Sequence, residues 1–305
     1  MSFAESRRKL KPWMLPIAMA SGVVFHDAIG WLSPLSPALI FVMLLLTYSR
    51  LSVRDFRGGG FIGWLLAAQI GGAIAAYMLL SRVSEVLAQG AFICVICPTA
   101  TAAPVVTGML GGSVPRVATY SLFSNLAVAA VLPPLLSWIN PGADVPFADT
   151  LTKICLTVLP LISGPLIVSA LMAHTVPSLR QTLARHQALS FYIWAFSLII
   201  VVGNAVSFVM REPAEAAVLM SALCAVSLLA CVIQFAVGRA IGRRYGDPVS
   251  GSQSLGQKNT VLAVWLALSY LHPLASVAPA AYIAWHNLFN SLQIYLHDRR
   301  REQSA

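Results

Sequence analysis

Apolar runs long enough to cross a bilayer recur from one end of this 305-residue chain to the other, and they point to an all-α polytopic membrane protein. Hydrophobic residues make up 58% and charged residues 10%, more apolar surface than a soluble domain can hide. Gly, Pro and charged punctuation divides the chain into ten candidate spans, about 13–32, 35–49, 60–81, 86–110, 115–139, 151–173, 188–210, 214–238, 250–271 and 273–297. Arg7, Arg8, Lys9 and Lys11 precede the first run, which superficially resembles a signal peptide. No cleavage site is evident, so it reads as a retained span. With that basic cluster in the cytoplasm, 16 of the 20 Lys and Arg residues fall on the same side. Arg82, Lys153 and Arg211 fall outside, and Lys258 falls within a span. The positive-inside rule then predicts ten helices in the cell (inner) membrane with both termini cytoplasmic. This uneven distribution also argues against nucleic acid as the partner of a chain with net charge +9.

Two spans break the apolar pattern. The stretch 250–267, SGSQSLGQKNTVLAVWLA, sets Gly256, Gln257, Lys258, Asn259 and Thr260 into a membrane segment. A lysine at the bilayer centre costs roughly 2.5–3.5 kcal/mol on insertion scales. A helix interrupted there exposes backbone donors and carbonyls, tolerable only where they are buried in protein or line a watery cavity. Span 86–110 holds the second break, Cys97-Pro98-Thr99-Ala100-Thr101-Ala102-Ala103-Pro104, whose two prolines break or kink a helix. Thr101 and Lys258 are 157 residues apart, close to half the chain, so each break falls in the fourth span of a five-span half. Five is odd, so the second half enters the membrane from the opposite side. This predicts an inverted-topology repeat, with the binding site where the paired broken helices meet. Pro, Gly, Ser and Thr also serve as packing devices in membrane helices. The matched positions of the breaks, and the lysine, favour the functional reading.

Other chemistries find little support. The cysteines Cys94, Cys97, Cys155, Cys224 and Cys231 lie in apolar runs and read as small buried hydrophobes. The C-x-x-C of Cys94 and Cys97 lacks further Cys or His to complete a metal site. No H-E-x-x-H, G-x-S-x-G or mid-span carboxylate pair suggests an enzyme. No metal or cofactor is expected, apart from sodium or a proton as coupling ion. All 11 acidic residues lie in loops or near span ends, with Asp27, Glu85 and Glu215 nearest the membrane. His26, His272 and His286 read as interfacial or packing residues, His286 being the one beside other polar groups. Trp13, Trp31, Trp138 and Tyr295 read as interface anchors.

The run from Cys97-Pro98 to Pro104, the motif Gly256-Gln257-Lys258-Asn259-Thr260-Val261-Leu262-Ala263, and Ala284-Trp285-His286-Asn287 resemble the bile acid:sodium symporter family and its bacterial relatives. The resemblance covers about Pro37 to the end of the tenth span. It implies one integral transporter domain over 1–305, of ten helices in two inverted five-helix repeats with broken crossing helices 4 and 9. A core would occupy about 60–139 and 214–297 and a panel about 13–49 and 151–210, with a substrate cavity between them. By the same resemblance Gln69, Asn259, Ser121, Ser124 and Asn125 fall at ion-binding positions. Thr99, Thr101, Pro104, Gln257, Thr260, His286 and Asn287 are the expected substrate contacts around the crossing. The departures concern charge: the family's shared glutamate falls on Ser254, its ninth-span glutamine on Lys258, and a serine-asparagine pair on Ala103-Pro104.

Sodium prefers oxygen ligands with a carboxylate among them, whereas this chain offers a cation. An ammonium beside Gln69 and Asn259 would repel sodium and could occupy its place, donating to carbonyls exposed by the crossing. A buried lysine can also alternate between charged and neutral forms and so couple transport to protons. The bland reading makes Lys258 a fixed tether or a snorkelling side chain. The expectation is therefore a secondary transporter of a small organic anion, bilayer-embedded, with Lys258 replacing sodium or carrying a proton. Two alternatives stay open: sodium-dependent symport on the oxygens of Gln69, Asn259, Thr99 and Thr101, and a membrane sensor that has lost transport. The lack of a soluble output domain weighs against the sensor.

Overall fold

The structure, a computed structural model, describes residues 13–49, 59–100, 102–140, 147–186, 188–210 and 216–303. These form helices joined by short turns, with no β-strand among the described residues. The chain opens with α1 (Met14–Val24), α2 (His26–Ile29), a 3₁₀ turn (Gly30–Leu35) and α3 (Ser36–Tyr48). The sequence suggested a first span ending near Leu32. Instead α1 stops at Phe25, and His26–Tyr48 runs on as one apolar helical segment. The tighter 3₁₀ turns accommodate Pro34, and Pro37 sits in the first turn of α3, where its missing N–H would have no partner anyway.

A pattern of elements then occurs twice. First come α4 (Gly60–Leu80), two half-helices α5 (Glu85–Ile96) and α6 (Ala103–Met109), and α7 (Val114–Ile139). After α8 (Phe147–Thr175), α9 (Pro177–Arg185) and α10 (Leu189–Val209), the pattern returns. It then comprises α11 (Ala217–Arg244), half-helices α12 (Pro248–Gly256) and α13 (Thr260–Tyr270), and α14 (Val277–Gln303). At 1.5 Å per residue each half-helix falls well short of the roughly 30 Å hydrocarbon core, so only as a pair can two of them traverse it.

Hydrogen bonds fix two ends of the bundle. At one end Ser113 N donates to Ser250 Oγ at 2.8 Å, and Arg116 Nη1 reaches Asp247 Oδ2 at 3.4 Å. Arg243, Arg244, Arg299 and Arg300 close α11 and α14 at this basic end. At the other end Tyr77 donates to Glu85 at 2.7 Å, His272 N to Gln89 Oε1 at 2.7 Å, and Asn140 Nδ2 to Tyr270 O at 3.3 Å.

The interior divides into apolar clusters. One gathers α5, α7, α11, α13 and α14 around Phe92, Leu132, Leu223, Leu266 and Tyr282. Another gathers α1, α3, α6 and α10 around Leu15, Leu44, Val106 and Leu198, and takes Ile283 and Ile294 from α14. A close backbone approach joins α11 to α12. Gly238 and Gly242, a small-x-x-x-small pair, face Gly251 so tightly that a Cβ on any of the three would collide with main-chain atoms.

Gly251→Ala should therefore lower stability by about 1–3 kcal/mol through overpacking, read as a reduced thermal midpoint in detergent. Gly63→Ala, on α4 with open space around it, should keep the midpoint or raise it slightly, because alanine is the better helix former. Single cysteines at Val83 and Ser178 should label with an impermeant thiol reagent from opposite sides of a vesicle. Labelling of both from one side would refute the assignment of ends.

Candidate functional site

Both breaks arise from local chemistry. Pro98 has no N–H to give the helix, and its ring pushes the preceding residue out of the helical region; Cys97 accordingly sits at φ −54°, ψ 141°. The second break has no proline. Gln257 turns extended at φ −90°, ψ 126°, directly after Gly256, whose bare Cα lies against the Phe235 ring where no Cβ would fit. The broken backbones meet as a single antiparallel bridge between Thr99 and Lys258. Ala100 N donates to Gln257 O at 3.2 Å and Asn259 N to Pro98 O at 2.8 Å.

A helix leaves its last four carbonyls without intrahelical partners. At membrane depth there is no water to take them up, and the crossing supplies donors instead. Gln234 Nε2 donates to Cys94 O at 3.3 Å, and Lys258 Nζ to Val95 O at 2.8 Å. Gln69 Nε2 donates to Ile96 O at 2.6 Å and Cys97 O at 3.0 Å. The carbonyls of α12 are met from the first break and from α14. Thr99 Oγ1 donates to Ser254 O at 2.7 Å and Tyr282 Oη to Gly256 O at 2.9 Å.

Lys258 is 1% exposed and, among the described residues, forms no ion pair. Its Nζ lies at the C-terminal end of α5, where the helix dipole concentrates roughly half a negative charge. The thiols of Cys94 and Cys97, at the same end of α5, are buried and free. The N-terminal ends of α6 and α13, which carry the opposite partial charge, also face the crossing.

The expected site residues divide by whether their polar atoms are already engaged. Gln69 is saturated, because its Oε1 accepts from Tyr120 Oη at 2.5 Å and Ser124 Oγ at 2.9 Å while its amide holds the α5 end. Asn259 caps α13 through Leu262 N at 3.2 Å. Thr99 is committed to Ser254, and Gln257 donates to Gln253 Oε1. Pro104 lies buried in the first turn of α6, and Thr260 lies buried at the start of α13. Asn125 Nδ2 donates to Ser121 O at 2.7 Å, and Asn125 Oδ1 and Ser121 Oγ remain buried without partners, as does Ser254 Oγ on α12. His286 Nδ1 and Asn287 Oδ1 are likewise unpartnered, on α14, with His286 against the Tyr282 ring edge at 5.6 Å. Thr101 lies outside the described residues.

Sequence reasoning missed Gln234 and Tyr282, each of which fastens a broken end, and Tyr120, which holds the Gln69 side chain. Gln234 could have been found as a lone amide in the apolar run of α11. The tyrosines carry no such signal, since a tyrosine inside a span reads as bulk.

The profile of the SBF-like CPA transporter family (DUF4137) matches residues 60–294, from the start of α4 into the last turns of α14. The chain belongs to that family. A comparison with curated proteins finds no match. Membership in the SBF-like family bears out the resemblance to the bile acid:sodium symporters and makes the protein a multi-pass member of a membrane transporter family. The match spans both breaks and both long helices that flank each, and begins after the segment from about Pro37 to 59 that the sequence resemblance also covered.

Within this SBF-like protein Gln69 fastens three elements at once. Gln69→Leu strands the α5 carbonyls and two hydroxyls, and should lower stability by about 3 kcal/mol or more, at 1–3 kcal/mol per unmet buried group. Gln69→Glu keeps the acceptor but removes the donor, so it should fall between. A Gln69→Leu thermal midpoint equal to wild type would contradict this assignment.

Proposed function

We propose that the protein is a secondary transporter of a small organic anion in which the Lys258 ammonium stands where a coupling sodium would otherwise neutralise the crossing. The observation that carries this reading is the bond from Lys258 Nζ to Val95 O, made by a buried lysine that has no acidic partner among the described residues, at the negative end of a half-helix. In its protonated form a lysine so placed supplies the positive charge itself, and the positive ends of α6 and α13 add to the field. An anion arriving at the crossing then meets a favourable potential without a co-transported cation. In this reading the molecule has ten spans in two inverted repeats. The core comprises about 60–139 and 214–297 and the panel about 13–49 and 151–210, the substrate passing between them. The basic end faces the cytoplasm, by the distribution of arginines.

A specific observation also favours sodium symport. Ser121 Oγ, Asn125 Oδ1 and Ser254 Oγ are buried oxygens without partners, the kind of ligand a hard cation takes. No carboxylate accompanies them among the described residues, which weakens the site relative to an anionic one.

Uptake of organic acids into proteoliposomes, with sodium exchanged for potassium at two pH values, separates the readings. The ammonium reading predicts uptake in potassium equal to uptake in sodium, and a strict sodium requirement would sink it. Lys258→Gln removes the charge and should either abolish uptake or render it, and the thermal midpoint, sodium-dependent through binding linkage. Lys258→Arg keeps the charge at every accessible pH, so it should bind substrate but fail to couple if the lysine carries protons. A Lys258→Gln variant that merely loses stability, with no new ion dependence, identifies a structural tether.

A further inference from the structure

The C-terminal end of α11 carries three arginines that meet no acid. Arg239, Arg243 and Arg244 are exposed, and among the described residues none of them forms an ion pair. The acid nearest to them along the chain, Asp247, is already engaged, because it accepts from Arg116 Nη1 at 3.4 Å and from Ser250 N at 3.0 Å. The helix sets the direction in which the arginines leave it. At 100° per residue the exposed Val232, Ile233, Ala236, Val237 and Ala240 occupy one sector of about 140°; Arg243 and Arg244 fall inside it, and Arg239 lies about 20° beyond its edge. The opposite sector holds Gln234, Gly238 and Gly242, which face the crossing and α12. The arginines thus continue the outward apolar stripe of α11 rather than turning away from it.

Aromatic side chains mark the depth at which they do so. Tyr245, which ends α11, meets Phe61 of α4 edge-on with ring centres 5.7 Å apart, and its hydroxyl lies at Gly60, where a Cβ would collide with it. Trp64, one turn further along α4, is exposed. Amphipathic rings of this kind sit at the level of the lipid headgroups, which places the guanidinium groups beside phosphates.

Positive-inside charge and the helix dipole account for bases at this end, but either is satisfied by any direction around the helix. An apolar stripe that runs into guanidinium groups without acids is complementary to a lipid whose chains follow the stripe and whose phosphate reaches the arginines. We propose that the last turns of α11 form a binding surface for an anionic phospholipid of the leaflet at the basic end. Its acyl chains lie along Val232 to Ala240, its phosphodiester bonds to Arg243 and Arg244, and Arg239, one turn deeper, adds charge. Guanidinium groups suit a phosphate because they present two parallel N–H donors. Phosphatidylglycerol offers them an uncompensated negative charge, whereas the choline of phosphatidylcholine neutralises its own phosphate. The lipid surface does not depend on which solute or ion the protein carries.

The test measures lipid retained on the intact full chain, by mass spectrometry from a neutral detergent that contains dioleoyl phosphatidylglycerol and dioleoyl phosphatidylcholine in equal amounts. The wild-type chain should retain phosphatidylglycerol in preference. Arg243→Gln should weaken that retention about fivefold and the double variant Arg243→Gln, Arg244→Gln roughly 25-fold, at the usual contribution of a basic residue near an anionic surface. Phosphatidylcholine retention should not move. Arg185→Gln, exposed at the end of α9, should change neither. Equal retention of the two lipids by the wild type overturns the proposal, as does a double variant that retains phosphatidylglycerol as the wild type does. Displacement of the lipid by millimolar inorganic phosphate would mark a site for a free anion, and a dimer that the two glutamines abolish would mark a protein interface; either result also overturns it. Arg244→Gln alone carries the test where the double variant fails to fold.

Discussion

A carbonyl stranded at membrane depth has no water to bond, and the architecture of this transporter-family protein follows from meeting that demand. Breaking two helices in the middle of the bundle frees the C-terminal carbonyls of α5 and α12. Five consecutive carbonyls, Cys94 to Pro98, find donors on α4, α11 and the second break. No single neighbouring helix could supply them. The bundle must bring α4, α7, α11 and α14 around the crossing before either break becomes tolerable, so each broken helix is stable only within the completed fold.

The same demand explains which side chains stand there. Glutamine reaches two carbonyls with one amide and still accepts two hydroxyls, as Gln69 does. Lysine reaches further and brings charge, and its ammonium suits the negative end of α5. An ion at that place can depart, whereas a tethered ammonium cannot. In the proposed reading, that difference separates a site that must be reloaded in each cycle from one that keeps its charge. Tight glycine packing of α11 on α12 serves the same purpose, because it sets Phe235 against Gly256 at the second break and brings Gln234, from the same helix, to the α5 end at the first.

Much of this was legible along the chain. The break at Cys97-Pro98 could be placed because proline excludes helix from its own position and from the one before it. The break at Gln257–Asn259 could be placed because polar residues and a lysine are expensive in hydrocarbon. The end of α1 at Phe25 was not legible, since apolar residues continue on both sides of it. Nor was the engaged condition of Gln69, Thr99 and Asn259. Composition marks a residue as polar but does not reveal whether its polar atoms are already spent on a neighbouring backbone.

What the sequence determined by itself was the all-α membrane class, the two break points and the presence of a lysine at one of them. These are consequences of local chemistry and of hydrophobic length, and each can be read within a window of some twenty residues. Only the tertiary structure decided that Lys258 bonds the carbonyl of Val95, 163 residues away, and that Gln69 closes the α5 end. It also decided that the sector of α11 carrying Arg243 and Arg244 faces outward while Gln234 faces the crossing. Those outcomes depend on which helix faces which, and that is set by packing across the whole bundle.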